Sequence, residues 1–145
     1  MKKILEEIQT KLKPKFAYVD ENWGQLNLLP KPPVKFPCVL IDCDNAAYSN
    51  LGNDHRQIPT LRQEATINIE LTIATLKITN TSANAPQMQR DKAWLIYELI
   101  EDAHKLLQGQ IVGNGKLVRT GVRRVRRTDG MQEHRIIYTL AAHDV

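Results

Sequence analysis

Arg62-Gln-Glu-Ala-Thr-Ile-Asn-Ile-Glu-Leu-Thr-Ile-Ala-Thr-Leu76 alternates with a period of two. Ala65, Ile67, Ile69, Leu71 and Ile73 fall on one side, and Thr66, Asn68, Glu70 and Thr72 on the other. Successive side chains of a strand point to opposite faces, so one face belongs to a core and the other meets water or a partner. The run is longer than most strands. Strands of this length often extend past their own domain and leave edge for pairing with another chain.

Upstream, Cys38-Val-Leu-Ile-Asp-Cys43 is a near-continuous apolar run between Pro37 and Asp44-Asn45, the pattern of a buried central strand. Its two cysteines are five residues apart, an odd spacing that places them on opposite faces and keeps them from pairing. Two small buried thiols suit a reducing compartment. Residues 44–61 are rich in Asn, Asp, Gly and Ser and read as a long loop, the kind that is often functional. Before the cysteine run, Leu29-Pro-Lys-Pro-Pro-Val-Lys-Phe-Pro37 holds four prolines, which exclude a helix and a central strand. It reads as an extended loop over the surface, or an arm lying on a neighbouring subunit.

Residues 2–13 predict a helix, with Ile4, Leu5, Ile8 and Leu12 at helical spacing and Pro14 as the stop. Phe16–Val19 fits a short strand. A second helix starts with Asn84 as cap and Pro86 in its first turn and runs to about Gln108, before Gly109. Ala93, Ile96, Ile100, Ala103 and Leu107 form one stripe; Leu95, Leu99 and Leu106 form a second, widened by Trp94 and Tyr97. So broad an apolar surface predicts two contacts, one with the sheet and one with the first helix or another subunit. Lys116–Arg127 and His134–Ala142 read as two strands joined by a turn at Thr128-Asp-Gly130. Val118 and Val122 share a face there, and a bulge near Arg123 or Arg124 returns Val125 to the same side. Arg119, Arg124 and Arg126 then gather opposite. The expected fold is a single α+β domain spanning 1–145. It has a mostly antiparallel sheet, a long central helix at about 88–108, an N-terminal helix packed on it, and a C-terminal β-hairpin.

At 145 residues the chain can bury a core without disulfides or metals. No apolar run is long enough to cross a bilayer, and Glu6 and Glu7 break the stretch that a signal peptide needs after Lys2-Lys3. These features predict a soluble intracellular protein. The net charge of +4 is lopsided. Residues 1–115 hold 13 basic and 13 acidic side chains, whereas residues 116–145 hold seven basic ones against Asp129, Glu133 and Asp144.

Candidate chemistry is sparse. His55, His104, His134 and His143 lack metal-ligand spacing, and there is no phosphate loop or nucleophile elbow. The sequence thus predicts no catalytic residue, metal or cofactor, and no small-molecule substrate. Asp42 and Asp44 at a strand end, with Glu70 nearby, could hold a divalent ion as nucleases do; the alternative is a solvated turn. Arg119, Arg123, Arg124, Arg126 and Arg127 form the other constellation. Three readings fit them: a solvated edge that resists aggregation, pairing with an acidic arc such as Glu98, Glu101 and Asp102 on another subunit, or contact with DNA.

Four segments carry a resemblance: Met1-Lys-Lys-Ile-Leu-Glu-Glu-Ile8 opening a helix, Phe36-Pro-Cys-Val-Leu-Ile41 entering a strand, Ala65-Thr-Ile-Asn-Ile-Glu-Leu71, and Ala93-Trp-Leu-Ile-Tyr-Glu-Leu99 before the final hairpin. In this order of elements the chain resembles the tail terminator or tail completion (head-tail joining) proteins of long-tailed bacteriophages. The resemblance implies a homo-oligomeric ring, usually a hexamer, that caps the tail tube and meets the head connector, with no enzymatic activity. It implies assembly in the bacterial host cytoplasm and residence in the virion tail. It also implies a face toward the channel through which DNA passes; non-specific DNA contact there stays one of the three readings of the arginines. A small nucleic-acid-binding module and a metal-dependent nuclease are the alternatives.

Overall fold

The computed structural model describes residues 1–76 and 81–145. Its order is α1 (Lys2–Leu12), β1 (Tyr18–Glu21), a 3-10 turn (Gln25–Asn27), β2 (Cys38–Asn53), β3 (Leu61–Leu76), α2 (Gln87–Ala93), α3 (Leu95–Leu107), β4 (Ile111–Val112), β5 (Gly115–Lys116), β6 (Val118–Val125) and β7 (Met131–His143). The fold is largely β. Five strands form one sheet in the order β1-β2-β3-β7-β6, while β4 and β5 form a small separate hairpin. Only β1 and β2 pair in parallel; the other pairs in the large sheet are antiparallel.

The alternation in β3 decides the layering as expected. Ala65, Ile67, Ile69, Leu71 and Ile73 are all buried, together with Val39 and Ile41 of β2 and Ile136, Tyr138, Leu140 and Ala142 of β7. The helices cover this face. Ile4, Ile8 and Leu12 of α1 and Ile96, Ile100, Ala103 and Leu107 of α3 complete the core. The opposite face is roofed at one end only, where Leu26, Val34 and Phe36 pack over Cys38, Leu40, Ala74 and Met131. The proline-rich segment is therefore a strap over its own sheet. Cys38 and Cys43 lie on opposite faces as the spacing predicts, and burial pushes the Cys38 thiol up to about 11.

Several expectations need correction. The helix expected at 88–108 is broken in two at Trp94, whose φ of −98° and ψ of 9° leave the helical region. Pro86, and not Asn84, stands before its first residue. Residues 44–53, read as loop, continue β2, because β3 supplies a ladder partner for nearly every one of them. Polar residues suit this half of the strand, since it is open to water on both faces. The C-terminal segment is more than the expected hairpin: β6 and β7 pair antiparallel, but β7 also belongs to the centre of the sheet. β7 starts at Met131 and pairs with β3 over its full length, which makes it an interior strand, and β6 stops at Val125. The bulge in β6 falls between Arg119 and Gly121, upstream of the expected place. The β4-β5 hairpin has a two-residue loop, Gly113-Asn114, with Gly113 at φ 60°.

Gly115 lies where β5 meets β7, and a Cβ there would overlap the Ala141 carbonyl and crowd Leu140. Gly115→Ala is therefore expected to cost about 1–3 kcal/mol, the usual penalty of overpacking. Gly121→Ala, at a strand position with open space around the missing Cβ, should cost less than half as much. Urea unfolding of both variants measures the contrast.

Candidate interaction surfaces

The arginines do not form one patch. In β6, Arg119 stands opposite Tyr138, Val122 opposite Ile136 and Arg124 opposite His134, which places these three on the helix-covered side at its margin. Val118, Gly121, Arg123 and Val125 stand opposite Thr139, Ile137, Arg135 and Glu133, on the other side. Val118 and Val122 are thus split between faces, and both are about half exposed. Arg126 lies beyond the strand end. Among the described residues Arg119, Arg123, Arg124 and Arg126 have no ion-pair partner, whereas Arg127 and Arg135 have several.

Arg127 turns inward. Its guanidinium donates to Asp129 at 2.7 Å, to Glu133 at 2.8 Å and to the Leu26 carbonyl at 3.1 Å. The hydrogen bond to Asp129, followed by that to Glu133, holds its pKa above the usual arginine range, and the Asp129 carboxyl is held below its own. Glu133 is 2% exposed and also accepts from Arg135 Nε at 2.9 Å; Arg135 reaches Glu70 at 3.4 Å. Sequence reasoning assigned Arg127 to a surface patch and gave Glu133 no role. Nothing in their spacing signals that the chain folds Arg127 back under the strap.

Asp42 and Glu70 are cross-strand partners, as a metal-binding reading requires. Glu70, however, is engaged by Arg135, Asp44 sits in the bulge between Cys43 and Asn45, and no group of three suitable ligands converges among the described residues. Asp42 and Asp44 have no ion-pair partner there either. The acidic arc is on α3, with Glu98 and Glu101 exposed and Asp102 half-buried. None of the three pairs with the arginines within the chain, among the described residues. Beside the arc, Trp94, Leu95 and Tyr97 remain substantially exposed.

Two further surfaces come from the sheet. On the open face Asn68 donates to Asn45 at 2.7 Å and accepts from Thr139 at 2.8 Å, and Thr139 meets Thr120 at 3.4 Å. This polar ladder crosses β2, β3, β7 and β6. At the sheet margin, β1 accompanies β2 only through Ile41, where the Asn22 amide takes the Ile41 carbonyl at 2.9 Å. From Asp42 to Asn53 the outer edge of β2 has no strand beside it among the described residues. The β2-β3 hairpin ends in a tip where Tyr48, Leu51 and Leu61 are about half exposed and Ile58 fully so.

No protein-family model matches the chain, and no curated protein matches it in sequence. Among solved structures, the chain is similar to one chain in the structure titled "Virion of native gene transfer agent (GTA) particle". The TM-score is 0.51 at 8% identity, over 96% of this chain and 91% of that one. The likeness is one of fold. No helix among the described residues is long and apolar enough to cross a membrane.

Two outcomes follow from this geometry. Glu133→Gln leaves two guanidinium groups without their shared buried counter-charge and is expected to cost about 3–5 kcal/mol. Arg123→Ala and Arg126→Ala, at exposed positions, should stay within about 0.5 kcal/mol; urea denaturation at neutral pH separates the two classes. His134 is buried, its Nδ1 has no hydrogen-bond partner among the described residues, and its ring stands edge-on to Tyr97. Burial, and then Arg124, lower its pKa from 6.5, and burial does the same for His104. The unfolded chain then takes up protons at these sites first as pH falls. Stability should be full above pH 6.5 and decline below it until the folded-state values are passed. His134→Phe should flatten that decline in thermal melts across pH 7 to 5.

Proposed function

We propose that the chain is a structural subunit of a phage-like virion. It oligomerises into a ring at the end of the tail tube, terminates the tail and joins it to the head. The observation that carries this reading is the shared fold, over nearly the whole of both chains, with a chain from a gene transfer agent virion. Unpartnered surface supports it: an open β2 edge, a hairpin tip with a fully exposed Ile58, and the exposed Trp94, Leu95 and Tyr97. Exposed apolar clusters and free strand edges mark protein contacts. In this reading the protein has no enzymatic role, its partners are copies of itself, tail tube and head connector proteins, and it assembles in the bacterial host cytoplasm before residing in the virion tail.

Light scattering coupled to sizing chromatography is the test. The expected result is a closed multi-subunit mass, alone or on addition of tail tubes, with rings in negative-stain images. A chain that stays monomeric at high concentration and ignores tail tubes overturns the proposal. A second reading, DNA contact along the channel, draws on Arg124 and Arg126, both exposed and without an ion-pair partner among the described residues. It expects DNA affinity that falls steeply with salt and a shallower salt slope after replacing both with alanine.

A further inference from the structure

We infer that the ring is closed by sheet extension: β6 of one copy pairs antiparallel with the open edge of β2 in the next, Arg123 opposite Asp42. This rests on the ring reading above and names the surfaces that form it. β2 and β7 both run antiparallel to β3, and β6 runs antiparallel to β7, so β6 is antiparallel to β2. A neighbouring copy that continues the sheet therefore presents its β6 in the orientation an antiparallel ladder needs. The two edges differ, so the contact is head-to-tail, the kind that generates rings when the rotation closes.

The register follows from the faces. Asp42 and Arg123 both lie on the open side, through Glu70 and Arg135 opposite them. Cys43 and Val122 both lie on the helix side, through Ile69 and Ile136. Past them β2 carries an extra residue, Asp44, in its bulge, so Asn45 meets Gly121, both on the open side. A slip of one residue would put these pairs on opposite faces. The ladder ends there, because Gly109 and Gln110 already hydrogen-bond to Leu117 along the next stretch of that edge.

Charge and apolar surface agree. The β2 edge brings Asp42 and Asp44 and the β6 edge brings Arg119 and Arg123, four charged groups without ion-pair partners among the described residues. Val122, about half exposed, gains Cys43 as a cross-strand neighbour. β1 ends at the Ile41 carbonyl, so the pairing begins just past it. The Arg119 amide, already held at 2.8 Å by the Gln108 carboxamide, lies just past the paired stretch.

The test uses the full chain and its own Cys43. Val122→Cys should give disulfide-linked oligomers on mild oxidation, in a ladder that stops at the ring size and disappears with Cys43→Ser. Gly121→Cys, on the other face, should give at least tenfold less cross-linked product. Arg123→Asp alone and Asp42→Arg alone should each shift the scattering mass to monomer, and the double variant should restore it. Circular dichroism melts confirm that the variants fold. Oligomers that form without the Val122-Cys43 cross-link, and that ignore Arg123→Asp, overturn this inference and leave the ring reading standing. A chain that is monomeric at every concentration, with no cross-link, overturns both.

Discussion

β3 is laddered on both sides by long strands, to β2 from Leu61 to Ala74 and to β7 from Glu64 to Leu76. Its inward side chains carry the centre of the core, from Ala65 to Ile73, and α1 and α3 close over them. Such a strand cannot slip, because a shift of one residue would turn five buried side chains toward water. Everything peripheral takes its position from this register. It sets which residues of β2 and β7 face the helices, and through β7 it sets the faces of β6. The surfaces available to partners are thus fixed by a segment that touches no partner.

The two sides of the sheet are used differently. The helix side is apolar and closed. The other side is roofed by the proline-rich strap at one end, sealed by the Arg127-Glu133-Arg135 cluster, and left to a polar ladder of Asn45, Asn68, Thr139 and Thr120 elsewhere. Hydrogen bonds between neighbouring side chains let that side stand in water without exposing apolar surface. A sheet so finished can face an aqueous space while its margins engage other chains.

How much of this was legible follows from where the information lies. The strand at 62–76, the buried run at 38–43, both helical stripes and the opposed cysteines are local periodicities, and they could be read directly. The break at Trp94 could not, since the apolar stripes continue across it. The outer half of β2 was hidden because its composition is that of a loop; only β3, a well-patterned strand nearby, makes those residues ladder. The β6 bulge was expected and misplaced: Val118, Val122 and Val125 were assumed to share a face, whereas Thr120 rather than an arginine absorbs the extra residue. Gly113-Asn114 was an available signal for the small hairpin. Arg127 left no trace, because its partners Leu26 and Glu133 are set by tertiary folding.

The Glu133 cluster has a consequence for how this sequence can change over time. One enclosed carboxylate is shared by two guanidinium groups, so the tolerance of positions 127, 133 and 135 is collective. An all-apolar replacement of the trio could fold as well as the present set, yet losing Glu133 first leaves two arginines without the carboxylate they share, and losing either arginine first leaves that buried carboxylate with one partner in place of two. The three positions should therefore drift together or stay put, a small evolutionary lock beneath a strap whose exposed residues remain open to substitution.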